Sequence, residues 1–204
     1  MNAETLSTFF GLAVLLGLAP GPDNLFVLAQ SMAFGARSGL WVVLGLCSGL
    51  VVHTLAVALG LAALMAATPW ALHLVQWVGA AYLLYLAWGA WRAGSGSVRQ
   101  AVSQEGWRLW RRGVLMNVTN PKVALFFLAL LPQFVDPSRG YAAVQVVILG
   151  GVFMVAALLV FGAISVFAGY LGGALRRHAC AEQWLNRLSA LVFVALAVRL
   201  LWPL

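Results

Sequence analysis

Apolar residues fall in six runs, at roughly 6–34, 40–66, 70–91, 113–134, 141–172 and 185–203, separated by short connections that hold most of the arginines. Continuous runs of this length predict membrane-spanning helices. The first run is 29 residues long, roughly 43 Å as a straight helix, whereas the hydrocarbon core of a bilayer is about 30 Å thick. It must tilt strongly or break. Pro20 and Pro22 supply a break, because proline lacks the amide donor and its ring clashes with the preceding turn. A packed proline kink would also satisfy them.

Polar letters interrupt the apolar pattern in two places. Pro20-Gly21-Pro22-Asp23-Asn24 lies inside the first run, and Asn117-Val118-Thr119-Asn120-Pro121-Lys122 inside the fourth. Pro22 and Pro121 are 99 residues apart in a chain of 204, close to half its length. A second internal match has an offset of 107: Gln76-Trp77 precedes Arg92 by the spacing with which Gln183-Trp184 precedes Arg199. Connecting loops absorb the difference between the offsets. The expected fold is an all-α polytopic membrane protein, with six transmembrane helices arranged as two inverted three-helix repeats. Helices one and four are broken at their prolines. A single transporter domain covers residues 1–204, with the first repeat at 1–92, a cytoplasmic connection at 93–111 and the second repeat at 112–204.

Composition agrees with this pattern. Hydrophobic residues make up 63% of the chain and charged residues 8%, with a mean hydropathy of +0.96, more apolar surface than a soluble domain can hide. The net charge of +7 raises nucleic acid as a partner, but the arginines sit in short connections rather than in a basic stripe, so none is expected. The expected surroundings are lipid. With the N-terminus outside, the inner connections hold Arg37, then Arg92, Arg99, Arg108, Arg111 and Arg112, then Arg176, Arg177 and Arg187, while the outer ones hold only Arg139. Positive charge gathers on the cytoplasmic side, which places both termini outside. Met1-Asn2-Ala3-Glu4 offers no basic residue ahead of the first run, so that segment is expected to be retained. Cys47, in an apolar run, and Cys180, beside Arg176, Arg177 and His178, have no metal-ligand spacing. Neither a metal nor a cofactor is expected.

Asp23 and Lys122 directly follow Pro22 and Pro121 near the middle of their apolar runs. A lone charge at the bilayer centre costs about 2.5–3.5 kcal/mol, so both should face inward. In an inverted repeat the two broken helices meet near the midplane and turn the free N–H groups of their new half-helices toward one cavity. Such a cavity suits a zwitterion. The N–H groups and Lys122 would receive a carboxylate, and Asp23 with the carbonyls freed by the prolines would hold an ammonium. Asn24, Asn117, Thr119 and Asn120 would add neutral hydrogen bonds. Pro20, Gly21, Pro22 and Pro121 form the helix breaks. A simpler account is an Asp23–Lys122 ion pair stapling the halves together, with Asn120 as a cap.

Asp23 and His53, the latter near the centre of the second run, are candidates for proton coupling. A histidine bonded between helices explains His53 equally well. Gly45 and Gly49, and later Gly169 and Gly173, form small-residue steps that permit close helix contact within one subunit or across a homodimer. Trp41, Trp70, Trp91 and Trp107 fall near predicted span ends, where their rings favour the interface.

Along essentially its whole length the chain resembles the LysE/RhtB family of amino-acid exporters. The resemblance is carried by Pro20-Gly21-Pro22-Asp23-Asn24, Gly35-Ala36-Arg37-Ser38-Gly39-Leu40, Arg112-Gly113 leading to Asn117 and Asn120-Pro121-Lys122, and Pro132-Gln133-Phe134. It implies proton-motive-force-driven efflux of amino acids or close derivatives across the bacterial inner membrane, through a midplane site with alternating access. It implies no enzymatic activity. Two other classes compete. A membrane thiol-disulfide oxidoreductase would need paired intramembrane cysteines, yet Cys47 and Cys180 occupy non-corresponding positions in the two halves. A passive channel or structural membrane subunit would use the broken helices only to line a pore or to pack.

Overall fold

The computed structural model describes residues 1–19, 21–67, 69–92, 105–175 and 179–202. Each apolar run becomes one helix or one bent pair. The first run divides into α1 (Ala3–Leu18) and α2 (Pro22–Phe34), bent by 63° at the proline motif. The second and third runs form α3 (Ala36–Ala67) and α4 (Pro69–Arg92). The fourth divides into α5 (Gly106–Val118) and α6 (Pro121–Leu125). From α6 the chain runs on through a π-helical turn at Phe126–Leu130 and a 3-10 turn at Leu131–Phe134, bent by 49° from α5. The fifth and sixth runs form α7 (Ala142–Leu175) and α8 (Ala179–Leu201). The described residues contain no strand. Pro20, Arg99, Arg176, Arg177 and His178 lie outside them, and the side chains of Cys180, Gln183 and Trp184 are likewise not described.

Local chemistry explains the boundaries. Pro22 and Pro121 stand in the first turn of α2 and α6, where a helix has no use for the missing N–H. Gly35 joins α2 to α3 with a φ of 83°, a conformation that strains any residue with a Cβ. α5 begins at Gly106, ahead of the apolar run, because its first turns are amphipathic: Leu109 is buried while Arg108 and Arg111 are exposed. The π-helical turn had no counterpart in the apolar pattern. The amide of Leu131 reaches back five residues to the carbonyl of Phe126, and Pro132, next in the chain, has no amide to offer Leu128.

α3 packs against both α5 and α7, α4 packs against α8, and α1 and α2 lie along α7. At the α3–α5 crossing the backbones nearly touch. A Cβ on Gly45 would lie 2.9 Å from the Cα of Gly113, and one on Gly49 would lie 2.7 Å from the Asn117 side chain. This small-residue step is therefore an internal packing face. α2 and α7 are joined by Ser31, whose hydroxyl donates to Val27 O and lies 3.1 Å from Ser165 Oγ, while Ser165 donates to Ala36 O. Phe9, Phe126, Phe134 and Phe153 form an aromatic core between α1, the α6 extension and α7.

The outer surface is apolar. Leu59, Tyr85, Leu115, Leu159, Phe167 and Tyr170 are all strongly exposed, which in water would be a large penalty and in lipid is none. Ala36–Gly60 of α3 and Ala142–Tyr170 of α7 are each long and apolar enough to cross a bilayer, and the bent pairs α1–α2 and α5–α6 would make two further spans. The protein is an all-helical polytopic membrane protein.

Candidate substrate-binding site

Counting carbonyls at the breaks shows how the site is built. In an α-helix each carbonyl accepts the amide four residues on. Proline at positions 20, 22 and 121 deprives the carbonyls of Leu16, Leu18 and Asn117 of that donor, and a buried carbonyl must find another. Two find side chains from distant elements. Leu16 O accepts from Lys122 Nζ at 3.3 Å, and the same ammonium donates to Ala19 O at 3.1 Å. Asn117 O accepts the amide of Asn120 at 3.0 Å and lies 3.1 Å from His53 Nε2 on α3, which must therefore carry a hydrogen. Gly17 O, whose helical partner would be the amide of Gly21 beyond the break, accepts from Asn24 Nδ2 at 2.6 Å.

Asp23 and Lys122 are both deeply buried, at 2% and 6% exposure. Asp23 stands in the first turn of α2, where the positive end of the helix dipole favours a carboxylate. Lys122 stands in the first turn of α6, where the dipole opposes it. The compensation comes from another helix, because Leu16 and Ala19 are carbonyls at the negative end of α1. Asn120 bridges the two motifs. Its Oδ1 accepts the amide of Lys122 at 3.0 Å as an N-cap, and its Nδ2 donates to Asp23 Oδ2 at 2.7 Å.

Asp23, Asn117 and Lys122 line one cavity together with Gly17, Val123 and an apolar wall that includes Leu46, Leu50, Phe153 and Phe161. Asp23 and Lys122 thus bring opposite charges to one cavity. Asn117 is 2% exposed, and its Oδ1 has no hydrogen-bond partner among the described residues. The cavity measures about 20 Å³, room for roughly one water. Admitting anything larger requires the lining helices to part.

The expected site residues thus divide. Asp23, Asn117 and Lys122 reach the cavity, whereas Asn24 and Asn120 hold the walls around it. Thr119 is exposed and returns its hydroxyl to Leu115 O and Met116 O. His53 is at the second break beside the Phe127 ring. Gly21 forms the N-cap of α2, where a Cβ would lie 3.2 Å from Lys122 Nζ, so glycine leaves room for the ammonium. Sequence reading missed the wall residues Phe153 and Phe161 and the particular carbonyls of α1. The carbonyls had a signal, the position four residues before each proline, but the identity of the donors that reach them did not.

The sequence from residue 14 to residue 203 matches the family profile described as LysE type translocator. The chain belongs to the LysE family of translocators. Its relatives include a homoserine/homoserine lactone efflux protein of Salmonella typhimurium, 35% identical over 153 residues that cover 74% of this chain and 73% of the relative. The corresponding protein of Salmonella typhi is 34% identical over 78% of each chain. A membrane protein of Vibrio cholerae, described as uncharacterized, is 36% identical over 80% of each chain. No solved structure matches the chain.

Proposed function

We propose that this LysE-family translocator is a secondary active exporter of amino acids or closely related zwitterionic metabolites, working by alternating access to the cavity between the two helix breaks. The observation that carries the reading is the meeting of Asp23, Lys122 and the unpartnered Asn117 Oδ1 at one buried cavity where both polar motifs converge. Ionisable groups held inside a membrane protein mark transport pathways by default. The names of the Salmonella relatives agree with it.

In this reading the broken helices are the moving parts of two inverted three-helix repeats, six spans in all, in a bacterial inner membrane with both termini on the external face. α4 and α8, 24 and 23 residues long, are the third and sixth spans; each reaches about 35 Å. Asp23 and the α1 carbonyls receive the substrate ammonium. Lys122, with the first-turn amides of α6, receives the carboxylate, and Asn24, Asn117, Thr119 and Asn120 complete or support the polar lining. Proton antiport drives export, with Asp23 as the first carrier and His53 as the second candidate.

The test is efflux from cells preloaded with a mixture of amino acids, with and without a protonophore. The expected result is saturable, protonophore-sensitive loss of one or a few amino acids, abolished by Asp23→Asn while the variant still inserts in the membrane. Normal efflux by Asp23→Asn would remove Asp23 from the mechanism. Unsaturable, gradient-independent leakage would favour a channel.

A further inference from the structure

The first helix break already holds an ammonium group. Lys122 is the chain's single lysine, and its Nζ is bonded to Leu16 O and Ala19 O at 3.3 and 3.1 Å, 5.8 Å from the Phe193 ring. The carbonyl of Leu16 is available because Pro20 has no amide to offer it. These oxygens, the negative end of α1 and the Asp23 carboxylate that lines the same cavity offer acceptors and negative charge to a compact cation with several N–H donors. The α-ammonium of an amino acid has the same charge and the same three donors as the lysine head group.

We infer that Lys122 is a tethered stand-in for the substrate ammonium. On loading, the α-ammonium of a zwitterion takes over the carbonyls of Leu16 and Ala19, and the released Lys122 ammonium pairs with the substrate carboxylate. This rests on the exporter reading above and assigns Lys122 two successive partners within it. Charge conservation supports the exchange. A zwitterion inserted between Lys122 and α1 leaves the net charge of the site unchanged and gives every ion a partner, so no step strands a charge in a low-dielectric interior.

Two measurements test the exchange. In proteoliposomes, efflux of homoserine is compared with that of homoserine lactone, which keeps the ammonium and lacks the carboxylate. Lys122→Met is expected to shift the homoserine-to-lactone ratio toward the lactone by about tenfold, because only the zwitterion loses a partner. A variant that exports both with the wild-type ratio overturns the inference. The second measurement needs no variant. Wild-type protein labelled with ¹⁵N at lysine Nζ yields one side-chain ammonium signal, which homoserine is expected to move saturably over the concentrations that saturate its efflux. A stationary signal while homoserine efflux saturates in the same preparation overturns the exchange and leaves the exporter reading intact. Absence of saturable efflux of any amino acid by the wild-type protein defeats the exporter reading and the exchange with it.

Discussion

His53 and Lys122 perform one structural task at the two breaks: each brings a donor to a carbonyl whose helical partner is a proline. For Lys122 the carried charge is what the proposed substrate site uses, and the residue lines the same cavity as Asp23. For His53 an N–H alone satisfies the geometry, and glutamine can offer one at similar reach. His53→Gln is therefore expected to keep the wild-type melting temperature in detergent and efflux driven by a pH gradient, leaving proton coupling to Asp23. Loss of gradient-driven efflux with an unchanged melting temperature would return the proton to His53. His53→Leu strips the side-chain donor and leaves the carbonyl of Asn117 only the neighbouring amides of Thr119 and Asn120, a change that costs about 1 kcal/mol at a buried site.

The bent pairs are held by straight helices. α3 grips α5 through Gly45, Gly49 and Gly113, and this contact places Asn117 against α3 just before the break. The α3–α5 crossing has no space for even one methyl group. Gly45→Ala would set a Cβ against the carbonyl of Trp110 and 2.9 Å from the Cα of Gly113, forcing the helices apart at a cost of about 1–3 kcal/mol. The expected outcome is a lower melting temperature together with impaired efflux, because the same displacement carries Asn117 away from the cavity. Gly11→Ala serves as the control. A Cβ there meets nothing within 4 Å, so neither quantity should change.

The described residues present a largely apolar exterior around an apolar core, and the buried charges are confined to the cluster at the two helix breaks. Its proposed orientation rests on arginine placement and is open to direct measurement. In a cysteine-free background, single cysteines placed at residue 2 and residue 204 are expected to react with a membrane-impermeant maleimide from outside intact cells, and one at residue 105 only after permeabilisation. Labelling of residue 105 in intact cells would invert the topology. The same background, with Cys47 and Cys180 replaced by serine, is expected to retain efflux. That result would dispose of the oxidoreductase class.

Much of this arrangement is readable from residue order alone. Among the described residues each apolar run becomes a helix or a bent pair, because in lipid every backbone amide must be satisfied within its own segment and continuous apolarity leaves helix as the choice. The break positions are equally local, since proline acts on its own chain. Even the deprived carbonyls of Leu16 and Asn117 follow from counting four residues back. Which donor reaches each carbonyl does not follow. That Lys122 crosses from α6 to the end of α1, that Asn120 donates to Asp23, and that His53 caps the second break are contacts between segments 64 to 106 residues apart. They depend on how α3 and α7 pack the two bent pairs together. Apolarity and proline placement act along the chain, while partner choice for a buried charge depends on distance in space, and only packing determines that.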